Sequence, residues 1–233
     1  MELSIDTASD WASIAVSDEG RLAGEVTWRC ERQHSVQLLP AVEGLLARLG
    51  IDKRDLRAVF VCTGPGGYAG LRVGVSTAKG LAFALGLSIV GVGRLEAEAY
   101  QFAGCGRPVC AVHRAGRGEV AWAVYQGPRD EWREIAAPRL STPEALLSEA
   151  PPDALFCAEE NDGVDEMLAA SGTTVVMAPV RRRGGFLAEL GWRRLAAGGG
   201  DDARRLVPLY LREPAIGPPK EREAVEPKDV GPK

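Results

Sequence analysis

Four places in the sequence hold residues suited to chemistry. A glycine-rich stretch, TGPGGYAGLRVGVSTAKG (63–80), follows an apolar run, RAVFVC (57–62), and opens into a helical pattern. Strand, glycine loop and helix, in that order, can cradle phosphate on backbone N–H groups. Asp6-Thr7, followed by Ser9, closes the first apolar run, where such residues make turns through side-chain to backbone hydrogen bonds. His34 opens a second helical pattern, and the only other histidine is His113. Arginines cluster at Arg181-Arg182-Arg183, Arg193-Arg194 and Arg204-Arg205, which could meet nucleic-acid phosphates by charge. Charge runs are more often solvated faces, and no aromatic residue interleaves with these.

The glycine stretch fails as a Walker A loop. That motif needs lysine directly before serine or threonine, and Leu71-Arg72 stands there instead. Gly64-Pro65-Gly66-Gly67-Tyr68-Ala69 fits the dinucleotide pattern, but the acidic ribose ligand expected about 20 residues on is absent. The helix is more informative than the loop. Gly70, Gly74 and Ala78 recur every four residues. Helical glycine costs about 1 kcal/mol relative to alanine, so the pattern needs a packing reason. Either the helix presses on its own sheet, or it receives a partner. In the second case Tyr68, Leu71 and Arg72 face outward, and Gly74→Leu abolishes pairing while leaving a soluble monomer.

These residues must be positioned by elements that the periodicity locates. Strands are expected over 3–8, 11–18 and 21–29, then a helix over 35–49 in which Pro40 demands a kink or a later start. Strand 57–63, helix 70–86, strand 88–92 and a short helix over 94–103 follow. The order then repeats: strands 108–115, 119–126 and 131–141, a helix from Pro143, strand 154–158, a helix near 161–170, strand 173–178 and helix 185–197. Two βββαβα halves imply an α/β fold duplicated from a ribonuclease-H-like unit, with a single doubly wound sheet as the competitor. The lobes are expected at 1–103 and 104–213. Residues 214–233, rich in proline and charge, are expected to add little fold.

Apolar content of 45% fits an ordinary globular chain, and the net charge of −4 opposes a generally nucleic-acid-binding surface. The N-terminus has no signal-peptide pattern, and the longest uncharged run, 80–93, is too short to span a membrane. The five cysteines form no CxxC pair and mostly lie in strand-like runs, as buried thiols do in a reducing compartment. A cytoplasmic protein is expected.

IDTAS, QHSVQLLP (33–40), GPGGYAGLRVGVSTAKGLA (64–82), GEVAWAVY (118–125) and VPLYLRE (207–213) occur in this order. Together they resemble the TsaB (YeaZ) family over residues 1 to about 213. The resemblance implies an actin/hexokinase/Hsp70-like fold of two ribonuclease-H-like lobes. It also implies a non-catalytic role in making tRNA N6-threonylcarbamoyladenosine, as the partner of TsaD, with TsaE joining the pair and tRNA contact indirect. Pairing with TsaD, or with a second copy when alone, would use the helices at 34–49 and 70–86. The expected interface is His34, Leu38, Val42, Tyr68, Gly70, Leu71, Gly74 and Ala78, with Gly64, Gly66 and Gly67 shaping the loop.

Several residues bear on autonomous chemistry. TsaD-type enzymes bind metal through H-x-x-x-H, whereas His34 is followed at that spacing by Leu38, so no metal is expected. In actin-like folds Asp6 would be the first-lobe acid on Mg²⁺, which makes Asp6, Thr7 and Ser9 a degenerate nucleotide site. The matching second-lobe position carries Arg114, and the usual glycine loop reads Ala158-Glu159-Glu160-Asn161, placing two carboxylates where a nucleotide would approach. No cofactor is expected, with weak or partner-dependent nucleotide binding left open. The competing reading is an active enzyme of the same fold, either a glycoprotease-like peptidase or a nucleotide-dependent transferase.

Overall fold

A computed structural model describes residues 1–159, 163–169, 175–178 and 183–212. The expectations for 160–162, 181–182 and the tail from 213 onward lie outside the described residues. Two five-stranded sheets are present, which excludes a single doubly wound sheet. The first contains β1 (Glu2–Asp6), β2 (Trp11–Asp18), β3 (Arg21–Arg29), β4 (Ala58–Gly64) and β5 (Ser88–Gly93), in the order β3-β2-β1-β4-β5. The second contains β6 (Val109–Gly116), β7 (Glu119–Gln126), β8 (Arg133–Ser141), β9 (Leu155–Glu159) and β10 (Val175–Ala178). Its order from the same edge is β8-β7-β6-β9-β10, so the halves repeat strand for strand. In each, an antiparallel meander of three strands continues into two parallel ones.

Strand alternation sorts the cores. Leu3, Ile5, Val59 and Val61 face helices α1 (His34–Leu49) and α2 (Tyr68–Leu85), meeting Leu38, Val42 and Val75. The intervening Ala58, Phe60 and Cys62 face the other way, with Leu187 and Leu190 of α6 (Arg183–Ala196). In the second sheet Cys110 and Val112 pack with Leu146 of α4 (Pro143–Glu149) and Val164 of α5 (Val164–Ala169). Val109 and Ala111 pack with Leu95 and Ala99 of α3 (Arg94–Tyr100). Period-two patterning buried on both faces is what a helix-covered sheet requires.

The sheets divide near residue 104, but two helices cross that line. α3 packs on β6, β7 and β9, while α6 packs on the strands of the first sheet. Both helices lie between the sheets and touch each other. Burial drives the exchange: α6 carries Gly191 against the ring of Phe60, where a Cβ would come within 2.3 Å.

Some boundaries differ from those expected. α1 begins at His34 and runs through Pro40, which is exposed. The lost partner of the Val36 carbonyl therefore faces water, and a proline there is tolerated. β1 stops at Asp6 because the Ala8 N–H turns back to Asp6 Oδ1 at 2.8 Å. α3 is shorter than expected and ends at Tyr100.

Gly191→Leu drives a side chain into Phe60, and overpacking of this kind costs about 1–3 kcal/mol. A chemical denaturation midpoint lowered accordingly, with the far-UV spectrum retained, is the expected outcome.

Candidate functional site

The carboxyl end of β1, the first turn of α2 and the ends of β6 and β9 converge on a cleft of about 1060 Å³. The glycine loop enters it from one side. Gly64 ends β4 at φ +106°, in a region that favours glycine, and its peptide bond to Pro65 is cis. A Cβ on Gly66 would lie 2.2 Å from the Ala8 carbonyl oxygen, so only glycine permits this approach. The Gly67 N–H donates to the same carbonyl at 2.8 Å. One turn on, a Cβ at Gly70 would meet the Thr7 carbonyl, and one at Gly74 the Thr7 hydroxyl, each at 2.2 Å. The Thr7 hydroxyl donates to the Gly70 carbonyl at 2.8 Å. The small-residue stripe of α2 thus lets the helix press on the chain's own β1.

That placement leaves little of the expected interface at the surface. His34, Leu38, Val42, Gly70, Leu71, Gly74 and Ala78 are all buried in the chain's own fold. His34 Nε2 lies 2.9 Å from the Ser9 carbonyl and ties α1 to the turn after β1. Gly74→Leu would therefore disturb the fold before any pairing. Tyr68 is exposed, but its ring meets that of Tyr210 at a centroid distance of 5.1 Å. The outer face of α1 and α2 instead presents Val36, 71% exposed, with Leu39 and Phe83, the last 90% exposed.

Within the cleft the charges are paired internally. Arg183 Nε stands 2.9 Å from Asp6 Oδ2, an ionic contact out of line for a hydrogen bond, and among the described residues neither atom has a hydrogen-bond partner. Arg183 Nη1 lies 3.0 Å from Glu159 Oε2, and Nη2 donates to Ser9 Oγ at 2.8 Å and to the Trp11 carbonyl at 3.1 Å. Arg94 bonds Glu98 at 2.7 Å, the Glu159 carboxylate and His113 Nε2 at 3.2 Å. Arg94, Arg183, Asp6, Glu98 and Glu159 are all buried. Burial is the largest influence on Glu159 and pushes its carboxyl up. Arg94, Arg183 and the Ser9 hydroxyl together outweigh it and hold the group below the ordinary carboxylate value. Burial likewise opposes the charge of Arg183, and Asp6 and Glu159 more than offset it.

A Mg²⁺–nucleotide does not fit this arrangement. The cation-binding face of Asp6 already holds a guanidinium, and Arg114 sits exposed at the end of β6. Glu159 does not repel from a loop, as expected from sequence, but turns inward against two arginines. Among the described residues no group of three histidine, cysteine or acidic side chains could hold a metal, and no helix is long and apolar enough to cross a membrane. Asp6 and Thr7 serve the turn and the α2 contact, and Ser9 joins the ionic network.

Sequence reasoning missed this network. Arg94 and Glu98 stand one helical turn apart, the spacing of an intrahelical ion pair, while Arg183 belongs to an arginine run that gives no sign of turning inward. Arg181 and Arg182 lie outside the described residues, Arg204 and Arg205 are exposed, and the remaining pair is engaged within the chain. Arg193 donates to the carbonyls of Arg129 and Asp130, and Arg194 pairs with Glu96.

A family model described as TsaD, tRNA N6-adenosine threonylcarbamoyltransferase, matches residues 22–180. The tRNA threonylcarbamoyladenosine biosynthesis protein TsaB of Bacillus subtilis is 30% identical over 217 residues, 90% of this chain and 93% of that one. The chain belongs to the TsaB (YeaZ) family. The Escherichia coli TsaB matches 55% of each chain at 36% identity. The solved structure of YeaZ from Pseudomonas aeruginosa superposes with TM-score 0.76 at 25% identity, covering 89% of this chain and 99% of that one. The TsaB family thus shares the two-lobed architecture found here.

Arg183→Met strands Asp6 without its cation and leaves Glu159 with Arg94 alone, and breaking a buried pair costs about 3–5 kcal/mol. A matching fall in thermal stability is expected. A second prediction concerns pH. The folded value of Glu159 is depressed, so its contribution is complete above the ordinary value and is lost as pH falls through the folded one. Glu159→Gln should lower stability at neutral pH and flatten its decline between about pH 5 and pH 3 in urea melts.

Proposed function

We propose that the chain is the non-catalytic dimerisation and scaffold subunit of the complex that makes tRNA N6-threonylcarbamoyladenosine. It pairs with TsaD through the outer face of α1 and α2, and the pair supports TsaE and tRNA engagement. Alone, the chain uses the same face to form a homodimer. Phe83 carries this reading: a phenylalanine 90% exposed in the last turn of α2 is apolar surface suited to a partner, and Val36 and Leu39 expose further apolar side chains near the start of α1. Burying such a ring contributes about 1.5–3 kcal/mol.

The occupied cleft supports the scaffold role over an active peptidase or transferase. An enzyme working there would have to pull Asp6 and Glu159 away from Arg183 first. Any nucleotide contact is therefore weak or completed by the partner. The resemblance to relatives named for tRNA threonylcarbamoyladenosine biosynthesis supports the pathway assignment.

Phe83→Glu tests the face without touching the core, and its effect on monomer stability should stay within about 0.5 kcal/mol. The expected result is loss of co-purification with TsaD, together with loss of tRNA modification in a mixture reconstituted with TsaE. Normal stoichiometry with TsaD would remove α1 and α2 as the interface.

A further inference from the structure

On the far side of the glycine loop lies a second cavity, of about 530 Å³, between the end of β6 and the segment 209–212. Its volume falls in the range of small-ligand pockets, roughly 300–1,000 Å³. Ala121, Leu140 and Leu209 give it apolar surface, and Arg114 and Arg212 add cationic side chains. Tyr68 and Tyr210 line it together, their ring centroids 5.1 Å apart and their planes inclined at 33°. Both residues keep more than a third of their surface in water.

The pair is fixed rather than loose. The Leu209 N–H donates to the Thr63 carbonyl at 2.7 Å, attaching the segment that carries Tyr210 to β4. Arg72 Nη1 donates to the Tyr68 hydroxyl at 2.8 Å, with its guanidinium 5.3 Å from the ring centroid. Arg212 is held by the Glu119 carboxylate and the Ala115 carbonyl. Among the described residues no carboxylate stands within ion-pair distance of Arg72.

We infer that this cavity is a stacking site for an unpaired nucleobase of an RNA strand. A base has a π-face that an exposed tyrosine pair can cover, and its flanking phosphate meets the exposed Arg72. Aromatic platforms beside arginine are how single strands are bound without sequence preference. The chain's net charge of −4 opposes a generally nucleic-acid-binding surface, which favours a site for one base over a duplex track. The inference rests on the reading of the chain as part of a tRNA-modifying complex and adds a direct RNA contact to it.

The test exploits the tyrosine count. The chain has four tyrosines, and Tyr100 and Tyr125 are buried. With 3-fluorotyrosine incorporated and signals assigned by Tyr68→Phe and Tyr210→Phe, a mixed-sequence single-stranded RNA octamer is titrated into the isolated full chain and followed by fluorine NMR. The Tyr68 and Tyr210 signals should move while Tyr100 and Tyr125 stay fixed, and an equal-length RNA duplex should move neither pair. Tyr210→Ala, read through Tyr68, should weaken binding roughly tenfold, the usual scale for one stacked base. Arg72→Ala, at an exposed site, should weaken it as well and stands in if Tyr210→Ala does not fold. No movement at millimolar octamer, unchanged affinity in both alanine variants, or equal movement with a neutral proline-rich peptide would overturn the inference. Phe83→Glu should leave these shifts intact, so failure of the docking face and failure of the base site are told apart.

Discussion

Five ionisable side chains buried in one place hold the two lobes in a fixed relation. Three carboxylates, Asp6, Glu98 and Glu159, come from β1, α3 and β9, and two guanidiniums, Arg94 and Arg183, come from α3 and α6. A lone charge removed from water costs several kcal/mol, so each of these groups depends on the others remaining in place. Because α3 and α6 also fill the space between the sheets, moving one lobe would break both the ionic contacts and the apolar packing around Tyr100 and Leu187. The cleft is consequently a joint.

That constraint accounts for the rest of the molecule. Thr7 and Ala8, at the edge of the joint, receive the glycine loop and the first turns of α2. His34 brings α1 to the same turn through the Ser9 carbonyl. The two helices are therefore anchored at their N-terminal ends to a rigid centre, and their outer faces are held in register. A pre-organised face loses little freedom on binding, which is what a scaffold subunit needs.

Much of this architecture is legible in the sequence. Alternation in RAVFVC and PVCAVHRA, and the repeated order of elements, give two ribonuclease-H-like sheets without any contact information. The spacing of Gly70, Gly74 and Ala78 signals a close approach, but not to which body. An internal strand and an external helix ask the same smallness of a helix face, and only the location of Thr7 decides between them. Arg183 was obscure for a different reason. Its partners are distant in the chain, and a run of arginines looks alike whether one member turns inward or all face water. Phe83 stood among the small residues of an apolar helix, where no periodicity marks it as exposed.

Hydrogen exchange of this chain, alone and mixed with TsaD, tests the central claim most directly: that the partner is met by the helices while the cleft stays shut. Protection gained in the segments around Val36–Leu39 and Gly80–Phe83, with unchanged exchange at β1, β6 and β9, is the predicted result. Protection confined to the strands of the cleft, with both helices exchanging as in the free chain, would contradict it.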